Sequence, residues 1–389
     1  MCPSHTPPTP AMQRLLTLMD HGTCRILFAH TTENAVLAAY GMVHGQPVYA
    51  FSQEPVRAAA AFSAAQITAI ERLYQMAAET GAPIVGIYDF DGDIPLPEKA
   101  SAAYSRLFSR AAHTAGVVPR ISVISGGCYG SVALLACCAD LTMMTEKAVI
   151  SLMPAHAFSG EQAAQAGMIS CLCKNDEAAL QRTRLCLRML PAHHLAPAML
   201  CDYVAPAYHI GATLTSAVQS VADRGSLVQL GKQWLPDVYT AFSTLEGHTT
   251  AIAGIRTQAL NLAGCRKLMK LFQICNDFSI PVILFLEQAA FSAETPDALY
   301  GAAALTHCWE EMSVSKISVL LRQADETFLS AAGGADFRIV CAGAEQNIPS
   351  ECIDLLTEPE QLRSCLASIL PLLRSKCVPV SPEKRRFSL

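Results

Sequence analysis

A glycine-rich segment in the first half of the chain has the residue types of an anion-binding turn. The apolar run ISVIS leads into Gly126, Gly127 and Gly130, and the stretch SVALLACC that follows predicts a helix. Amides at the start of a helix lack partners within it and carry positive partial charge. Glycine also lets a ligand approach the backbone closely. Such a turn can stabilise a negatively charged oxygen of a reacting carbonyl group.

The same segment contains the serine of a possible nucleophilic pair. Ser131 is followed by His156 25 residues later, an arrangement compatible with a serine protease. An activated serine needs an oriented base that has its own carboxylate partner. The MPAH context of His156 does not predict the strand that would orient it, so the protease is the weaker hypothesis.

The cysteines do not predict a metal site. The chain has 16 of them, scattered through apolar stretches without a Cys-x-x-Cys spacing. Cys171 and Cys173 are separated by a single residue, which is not the usual zinc-ligand spacing. We therefore expect buried free thiols and no bound metal.

The two halves of the chain repeat each other in sequence. Asp20 and Gly22 correspond to Asp223 and Gly225, and four segment pairs keep the same order along the chain. The pairs are Met12–Phe28 with Thr215–Leu230, Ala39–Val48 with Ala241–Thr250, Gly81–Asp89 with Ser279–Glu287, and Val118–Ile124 with Ser315–Leu321. Ordered self-similarity of this kind indicates an internal duplication.

Each copy alternates strands with helices. Helical periodicity covers Ala64–Thr80 and Cys265–Phe278, and a further helix is predicted from Pro359 to Lys376. The runs PIVGIYDF, ISVIS, PVILFLE and ISVLL predict strands that helices cover on both faces. The pattern favours a layered α/β domain made twice. The predicted boundaries are a disordered N-terminus at 1–11, domains at 12–190 and 213–376, a connector at 191–212 and a flexible tail at 377–389.

Composition excludes several classes of protein. Hydrophobic residues make up 51% of the 389 residues and charged residues 16%, with a net charge of -5. No uncharged apolar run reaches the roughly 18 residues that span a membrane. The sequence offers no basic surface for nucleic acid. Met1 to Pro10 does not resemble a secretory signal, so we expect a cytoplasmic protein.

With these motifs the chain resembles the biotin-dependent acyl-CoA carboxyltransferase family, the type found in propionyl-CoA carboxylase beta and decarboxylase alpha subunits. The resemblance runs from about Met12 to Ile348 and is strongest over Val118–Met144, VPRISVISGGCYGSVALLACCADLTMM. It implies an α/β fold of tandem crotonase-type domains, with layered β-sheets flanked by helices.

The resemblance also implies site residues, one set in each half. In the first half it places oxyanion-hole amides at Gly130 and Ser131, with an approach shaped by Gly126, Gly127, Cys128 and Tyr129. In the second half the corresponding turn brings Glu326 and Thr327 to the catalytic positions, with Asp325 and Phe328 beside the substrate.

The chain departs from the family pattern in two loops. Asp325 and Glu326 stand where the family has a glycine pair, and Asp89-Phe90-Asp91-Gly92-Asp93 replaces a Ser-Gly-Gly-Ala-Arg loop. Carboxylates beside a site that holds developing negative charge oppose that charge unless they turn away.

By resemblance, the chain is a carboxyltransferase subunit that moves a carboxyl group between carboxybiotin and an acyl-CoA, in the carboxylase or the decarboxylase direction. Leu268-Met269-Lys270-Leu271 lies on a predicted helix and is not a biotinyl hairpin, so the biotin belongs to a separate carrier protein. The other expected partners are a biotin carboxylase or a membrane decarboxylase subunit, within a homo- or hetero-oligomer.

Two further hypotheses remain open. A degenerate subunit could keep the fold and support an active partner, as the altered second turn suggests. An enoyl-CoA hydratase or isomerase would need carboxylates over the acyl chain. Asp140 and Asp336 follow helices in both copies, and we expect them to brace the fold instead.

Overall fold

The computed structural model describes residues 8–29, 35–55, 62–90, 101–207, 213–332, 334–345, 348–349 and 353–373. The chain divides into two compact units, Met1–Ala196 and Pro197–Leu389, which we call the first unit and the second unit. The division falls inside the connector predicted at 191–212. The tail predicted at 377–389 lies outside the described residues.

The first unit contains ten strands and six helices among its described residues. The strands are β1 (Arg25–Leu27), β2 (Val36–Val43), β3 (Gln46–Gln53), β4 (Ile84–Tyr88), β5 (Arg120–Ile124), β6 (Gly127–Tyr129), β7 (Leu141–Thr145), β8 (Val149–Ser151), β9 (Phe158–Ser159) and β10 (Cys171–Cys173). The helices are α1 (Pro10–Leu18), α2 (Ala64–Thr80), α3 (Ser101–Thr114), α4 (Gly130–Cys137), α5 (Gly160–Gln165) and α6 (Asp176–Met189).

The second unit contains seven strands and five helices in its described part. The strands are β11 (Val228–Gln229), β12 (Val238–Leu245), β13 (His248–Leu260), β14 (Val282–Phe291), β15 (Lys316–Ala324), β16 (Phe337–Cys341) and β17 (Leu355–Thr357). The helices are α7 (Leu214–Val221), α8 (Leu262–Asp277), α9 (Pro296–Glu311), α10 (Glu326–Ala331) and α11 (Leu362–Leu373). No described helix has both the length and the apolar character needed to cross a membrane.

The two units share one sheet topology. Each has a seven-stranded sheet, in the order β1-β2-β3-β4-β5-β7-β10 and β11-β12-β13-β14-β15-β16-β17. The first three strands of each sheet pair antiparallel and the remaining neighbours pair parallel. The duplication inferred from the sequence is therefore present in the fold.

The hairpin turns of the two units also match. His44 and Gly45 join β2 to β3 with φ angles of 51° and 76°, and Glu246 and Gly247 join β12 to β13 with 51° and 77°. Both central residues have positive φ, as two-residue hairpins of type I′ require, and glycine takes that conformation most easily.

A carboxylate clamp fixes each hairpin to the first and last helices of its unit. Asp20 follows α1 and accepts hydrogen bonds from the Gly45 amide at 2.9 Å and the Arg184 guanidinium at 2.8 Å. The second unit repeats the clamp with Asp223, Gly247 (2.8 Å) and Arg363 (2.7 Å). In each unit the aspartate thus joins the hairpin to the last helix.

A second duplicated contact confirms the bracing role expected of two aspartates. The carboxylates of Asp140 and Asp336 accept the backbone N–H of Arg120 and Lys316, at 2.8 Å in both cases. These contacts lie at the amino ends of β5 and β15. Each joins one of these strands to its neighbour in the sheet, β7 or β16, which begins directly after the aspartate.

The N-terminal boundary predicted from sequence is partly wrong. Residues 1–7 of the predicted disordered stretch lie outside the described residues, but α1 already begins at Pro10. The Thr9 side chain accepts a hydrogen bond from the Met12 amide, and proline at the first helical position stabilises the start of a helix.

Lys267 of α8 lies buried in the second unit. Its ammonium donates to the carbonyl oxygens of Gly231 at 2.9 Å, Leu235 at 3.2 Å and Trp234. Burial lowers the pKa of Lys267 from 10.5 to about 8. Between these two values the unfolded chain holds a proton that the folded chain has lost.

We expect this lysine to make the protein more stable as pH rises. From about pH 8 to about 10.5 the free energy of unfolding should rise by up to about 3 kcal/mol relative to Lys267→Met. Urea unfolding of both proteins at pH 7, 9 and 10.5 measures the difference. If the free energy of unfolding changed with pH in the same way for both proteins, folding would not lower the pKa of Lys267.

Candidate functional site

The first glycine-rich turn lies between β5 and α4. Tyr129 is the residue before α4, in an extended conformation, and its side chain makes no capping hydrogen bond to the helix. Gly130 opens the helix with a φ of 57°, in the left-handed region that favours glycine. The amides of Gly130 and Ser131 therefore lie in a helix start that its own N-cap side chain leaves uncovered.

Backbone pairing on two sides holds the approach to this turn. Gly127 donates to the Phe90 carbonyl at 3.0 Å and accepts from the Phe90 amide at 3.1 Å. On the other side the Val149 amide donates to the Gly126 carbonyl at 3.2 Å. The amide of Gly127 is thus already bonded, and this residue shapes the turn without offering a donor.

Two other predicted residues of the first turn have different surroundings. Cys128 is 1% exposed and belongs to the hydrophobic core of the first unit. Burial raises its thiol pKa well above the usual value, which leaves the reactive thiolate scarce. The Tyr129 ring is half-buried and packs edge-on against Phe90, with ring centroids 6.1 Å apart.

An apolar rim flanks the start of α4. Strand β6 pairs with β8 so that Tyr129 lies opposite Ser151, and Leu152 and Met153 follow at the same end of the pair. Their side chains are 63% and 62% exposed. The Ser151 hydroxyl holds this bend by accepting from the Met153 amide at 2.9 Å. The rim leaves apolar surface exposed beside the turn.

A buried charge network lies directly behind the first turn. The Asp89 carboxylate forms an ion pair with Arg14, and Arg14 also reaches Asp176 at 2.8 Å. Burial disfavours the charge on Arg14, but the two carboxylates outweigh that effect and raise its pKa above the usual value. The sequence offered no spacing signal for this network, because its members come from distant segments.

The second turn has a different capping arrangement. Asp325 is the N-cap of α10, and its carboxylate accepts a hydrogen bond from the Thr327 amide at 3.0 Å. Phe328 is 2% exposed and packs on Phe291 with ring centroids 4.7 Å apart. Glu326 lies exposed in the first turn of α10. The amide of Thr327 is therefore occupied by the neighbouring carboxylate.

The strands that lead to the second turn are also longer. β14 and β15 have 10 and 9 residues, whereas β4 and β5 have 5 each. Their pairing continues through Gln288 with Gln323 and Ala289 with Ala324. Paired backbone thus extends to the second turn, and the small sheet β6-β8-β9 has no counterpart in the described part of the second unit.

The structure gives no support to a serine nucleophile. His156 lies in an exposed 3-10 turn, Pro154–His156, and within the described chain no hydrogen bond joins it to Ser131. Likewise, no three His, Cys, Asp or Glu side chains among the described residues lie close enough to hold a metal ion.

Comparison with known proteins places the chain in a family. Residues 18–336 match the family model described as the carboxyl transferase domain. The propionyl-CoA carboxylase beta chain of Cereibacter sphaeroides is 25% identical over 332 residues, which cover 75% of this chain and 65% of that protein. The methylmalonyl-CoA decarboxylase subunit alpha of Veillonella parvula is 25% identical over 330 residues, 74% of this chain and 64% of that protein. The matched region thus spans just under two thirds of these relatives.

Solved structures confirm the fold. A transcarboxylase 12S structure, described as a hexamer with methylmalonyl-coenzyme A and methylmalonic acid bound, superposes with a TM-score of 0.86 at 19% identity, over 96% of this chain and 91% of that one. A single-chain long-chain acyl-CoA carboxylase matches with a TM-score of 0.77 at 16% identity, over 92% of this chain and 45% of that one. The predicted fold of duplicated crotonase-type domains is correct.

Proposed function

Because this chain belongs to the carboxyl transferase domain family, we propose that it adds a carboxyl group to, or removes one from, the α-carbon of a CoA thioester. The resemblance makes carboxybiotin on a separate carrier protein the other reactant. An oligomeric assembly in the cytoplasm, with a biotin carboxylase or a membrane decarboxylase subunit as partner, completes the proposal.

The observation that carries this proposal is the open first turn. Breaking or forming the bond between the α-carbon and a carboxyl carbon passes through an enolate, whose charge lies largely on the thioester oxygen. The amides of Gly130 and Ser131 are the donors that we assign to that oxygen, because the Tyr129 side chain leaves this helix start uncapped. Fixed donors at a developing negative charge lower the barrier more than water does.

The surroundings of the turn fit an acyl group. Leu152 and Met153 present apolar side chains beside the helix start, where the acyl chain of the thioester can pack. No side-chain nucleophile is needed, because the enolate is stabilised electrostatically and the reactants are held in position. This is consistent with the buried, protonated thiol of Cys128.

By resemblance, one turn holds the thioester oxygen and the other holds the ureido oxygen of biotin. With the first turn assigned to the thioester, the second turn in its capped form does not fit the biotin oxygen. The Thr327 amide that would bind that oxygen is already bonded to Asp325. Bound biotin would supply an activated carboxyl group or accept one. The steps that we assign to this chain are therefore confined to the CoA thioester at the first turn.

Enolate formation tests the proposal without any partner protein. Methylmalonyl-CoA incubated with the protein in deuterium oxide should lose CO2, and the enolate left behind should take up deuterium from the solvent at its α-carbon, so mass spectrometry should detect deuterated propionyl-CoA. Transfer from methylmalonyl-CoA to free biocytin tests the complete reaction. A protein that neither forms this product nor binds a CoA thioester would contradict the proposal.

The capped second turn favours one further candidate, a subunit that supports an active partner without catalysing transfer itself. If Asp325 only blocks an otherwise competent turn, Asp325→Ala should transfer carboxyl groups to biocytin faster than the wild type. A supporting subunit would leave both proteins inactive in transfer and in decarboxylation. Loss of the cap should cost about 1 kcal/mol of stability in either case.

A further inference from the structure

The Asp89 carboxylate occupies the space immediately behind the first turn. A Cβ atom built on Gly126 would overlap Asp89 Oδ1, so the carboxylate packs directly on the Gly126 backbone. The next residue, Phe90, makes two backbone hydrogen bonds to Gly127, at 3.0 and 3.1 Å. Asp89 and Phe90 together form one wall of the segment that leads into the turn.

Arg14 fixes this wall to the rest of the first unit. It is 7% exposed, forms an ion pair with Asp89 and donates to Asp176 at 2.8 Å at the start of α6. The side-chain oxygen of Gln53, at the end of β3, accepts a hydrogen bond from the Asp89 amide at 3.2 Å. Contacts with α1 and β3 therefore determine the position of Asp89, and α6 supports it through Arg14.

We propose that Arg14 and Asp89 are positioning residues, which hold the Gly126–Gly130 backbone so that the amides of α4 meet the thioester oxygen. This inference rests on the proposed function. Neither side chain touches the reacting atoms, and both act through the backbone of the turn. Small displacements of such donors matter, since an error of about 1 Å can cost about 100-fold in rate.

The chain offers a matched control at the opposite end of β5. Arg120 and Asp140 form another buried ion pair, at 2.6 Å, with side-chain exposures of 9% and 9%. The corresponding values for Arg14 and Asp89 are 8% and 10%. Arg120 opens β5, whereas Gly126 follows the end of that strand. Both pairs can stabilise the unit, but only one contacts the turn.

Asp89→Ala and Asp140→Ala should therefore differ in activity. We expect Asp89→Ala to lower the kcat for decarboxylation of methylmalonyl-CoA about tenfold to 100-fold, with little change in the KM for this thioester. Amide hydrogen exchange in residues 125–131 should also become faster. Asp140→Ala should lose comparable thermal stability while keeping its kcat and its exchange in that segment. Asp89→Asn, which preserves volume and hydrogen bonding, should recover part of the loss.

Two results would overturn the inference. One is unchanged kcat and unchanged exchange of the turn in Asp89→Ala, and the other is an equal loss of kcat in Asp140→Ala. Failure of the proposed function is a separate outcome. An inactive wild type would reject that function, while hydrogen exchange would still show whether Asp89 holds the turn.

Discussion

Replacing Ser131 by proline is expected to lower the kcat for decarboxylation of methylmalonyl-CoA about 100-fold or more. Ser131 is the second residue of α4, and proline there removes one amide hydrogen of the uncapped helix start. The first turn of a helix tolerates proline, and Gly130 lacks the Cβ that a following proline would crowd. Decarboxylation of methylmalonyl-CoA gives kcat and KM, and thermal unfolding shows whether the variant is folded.

Ser131→Ala is the matched control for this prediction. It keeps the amide and removes the hydroxyl, so decarboxylation should continue at the wild-type rate. An equal loss in both variants would assign the effect to the hydroxyl and revive the nucleophilic serine. Full activity in a folded Ser131→Pro protein would show that this amide does not meet the thioester oxygen.

Most of the fold could be predicted, because local signals and packing agree along much of the chain. α2 has the predicted bounds, Ala64–Thr80, since Ser63 and Gln66 form a capping box at its start and Gly81 ends it in the left-handed conformation. The apolar runs became β4, β5, β14 and β15, each buried along its central residues. The strands β6, β8 and β9 were missed because two or three residues are too few to show a periodicity.

The first turn could be located from its glycines, but the network behind it could not. Arg14 and Asp89 lie 75 positions apart, and sequence spacing does not reveal such a contact. One signal was available: Arg14 falls on the buried face of α1 together with Ala11, Leu15 and Leu18. A charged residue on an apolar stripe needs a buried partner.

The second turn shows how local chemistry resolves an apparent conflict. Two carboxylates at 325 and 326 seemed to oppose an anion site. An aspartate before a helix is also one of the strongest N-cap signals, and Asp325 fills that role. The same residue therefore stabilises α10 and occupies the amide of Thr327.

The duplicated carboxylate clamps should contribute unequally to stability. Asp223 is 1% exposed and accepts from Arg363, Thr244 and Gly247 at 2.7, 2.7 and 2.8 Å. Its removal leaves a largely buried guanidinium and several donors unpaired, so Asp223→Ala should cost about 3–5 kcal/mol. The Asp20 side chain is 28% exposed, and Asp20→Ala should cost about 1–2 kcal/mol because water replaces part of what is lost.

Tryptophan fluorescence can separate the two effects, because both tryptophans of the chain, Trp234 and Trp309, belong to the second unit. In urea, Asp223→Ala should lower the midpoint of the fluorescence transition clearly more than Asp20→Ala does. Circular dichroism, to which both units contribute, should detect the smaller loss in Asp20→Ala. Equal shifts of the fluorescence midpoint would mean that burial does not set the strength of these clamps. The equal loss would then come from the hydrogen bonds that both aspartates accept, from a hairpin glycine and from an arginine.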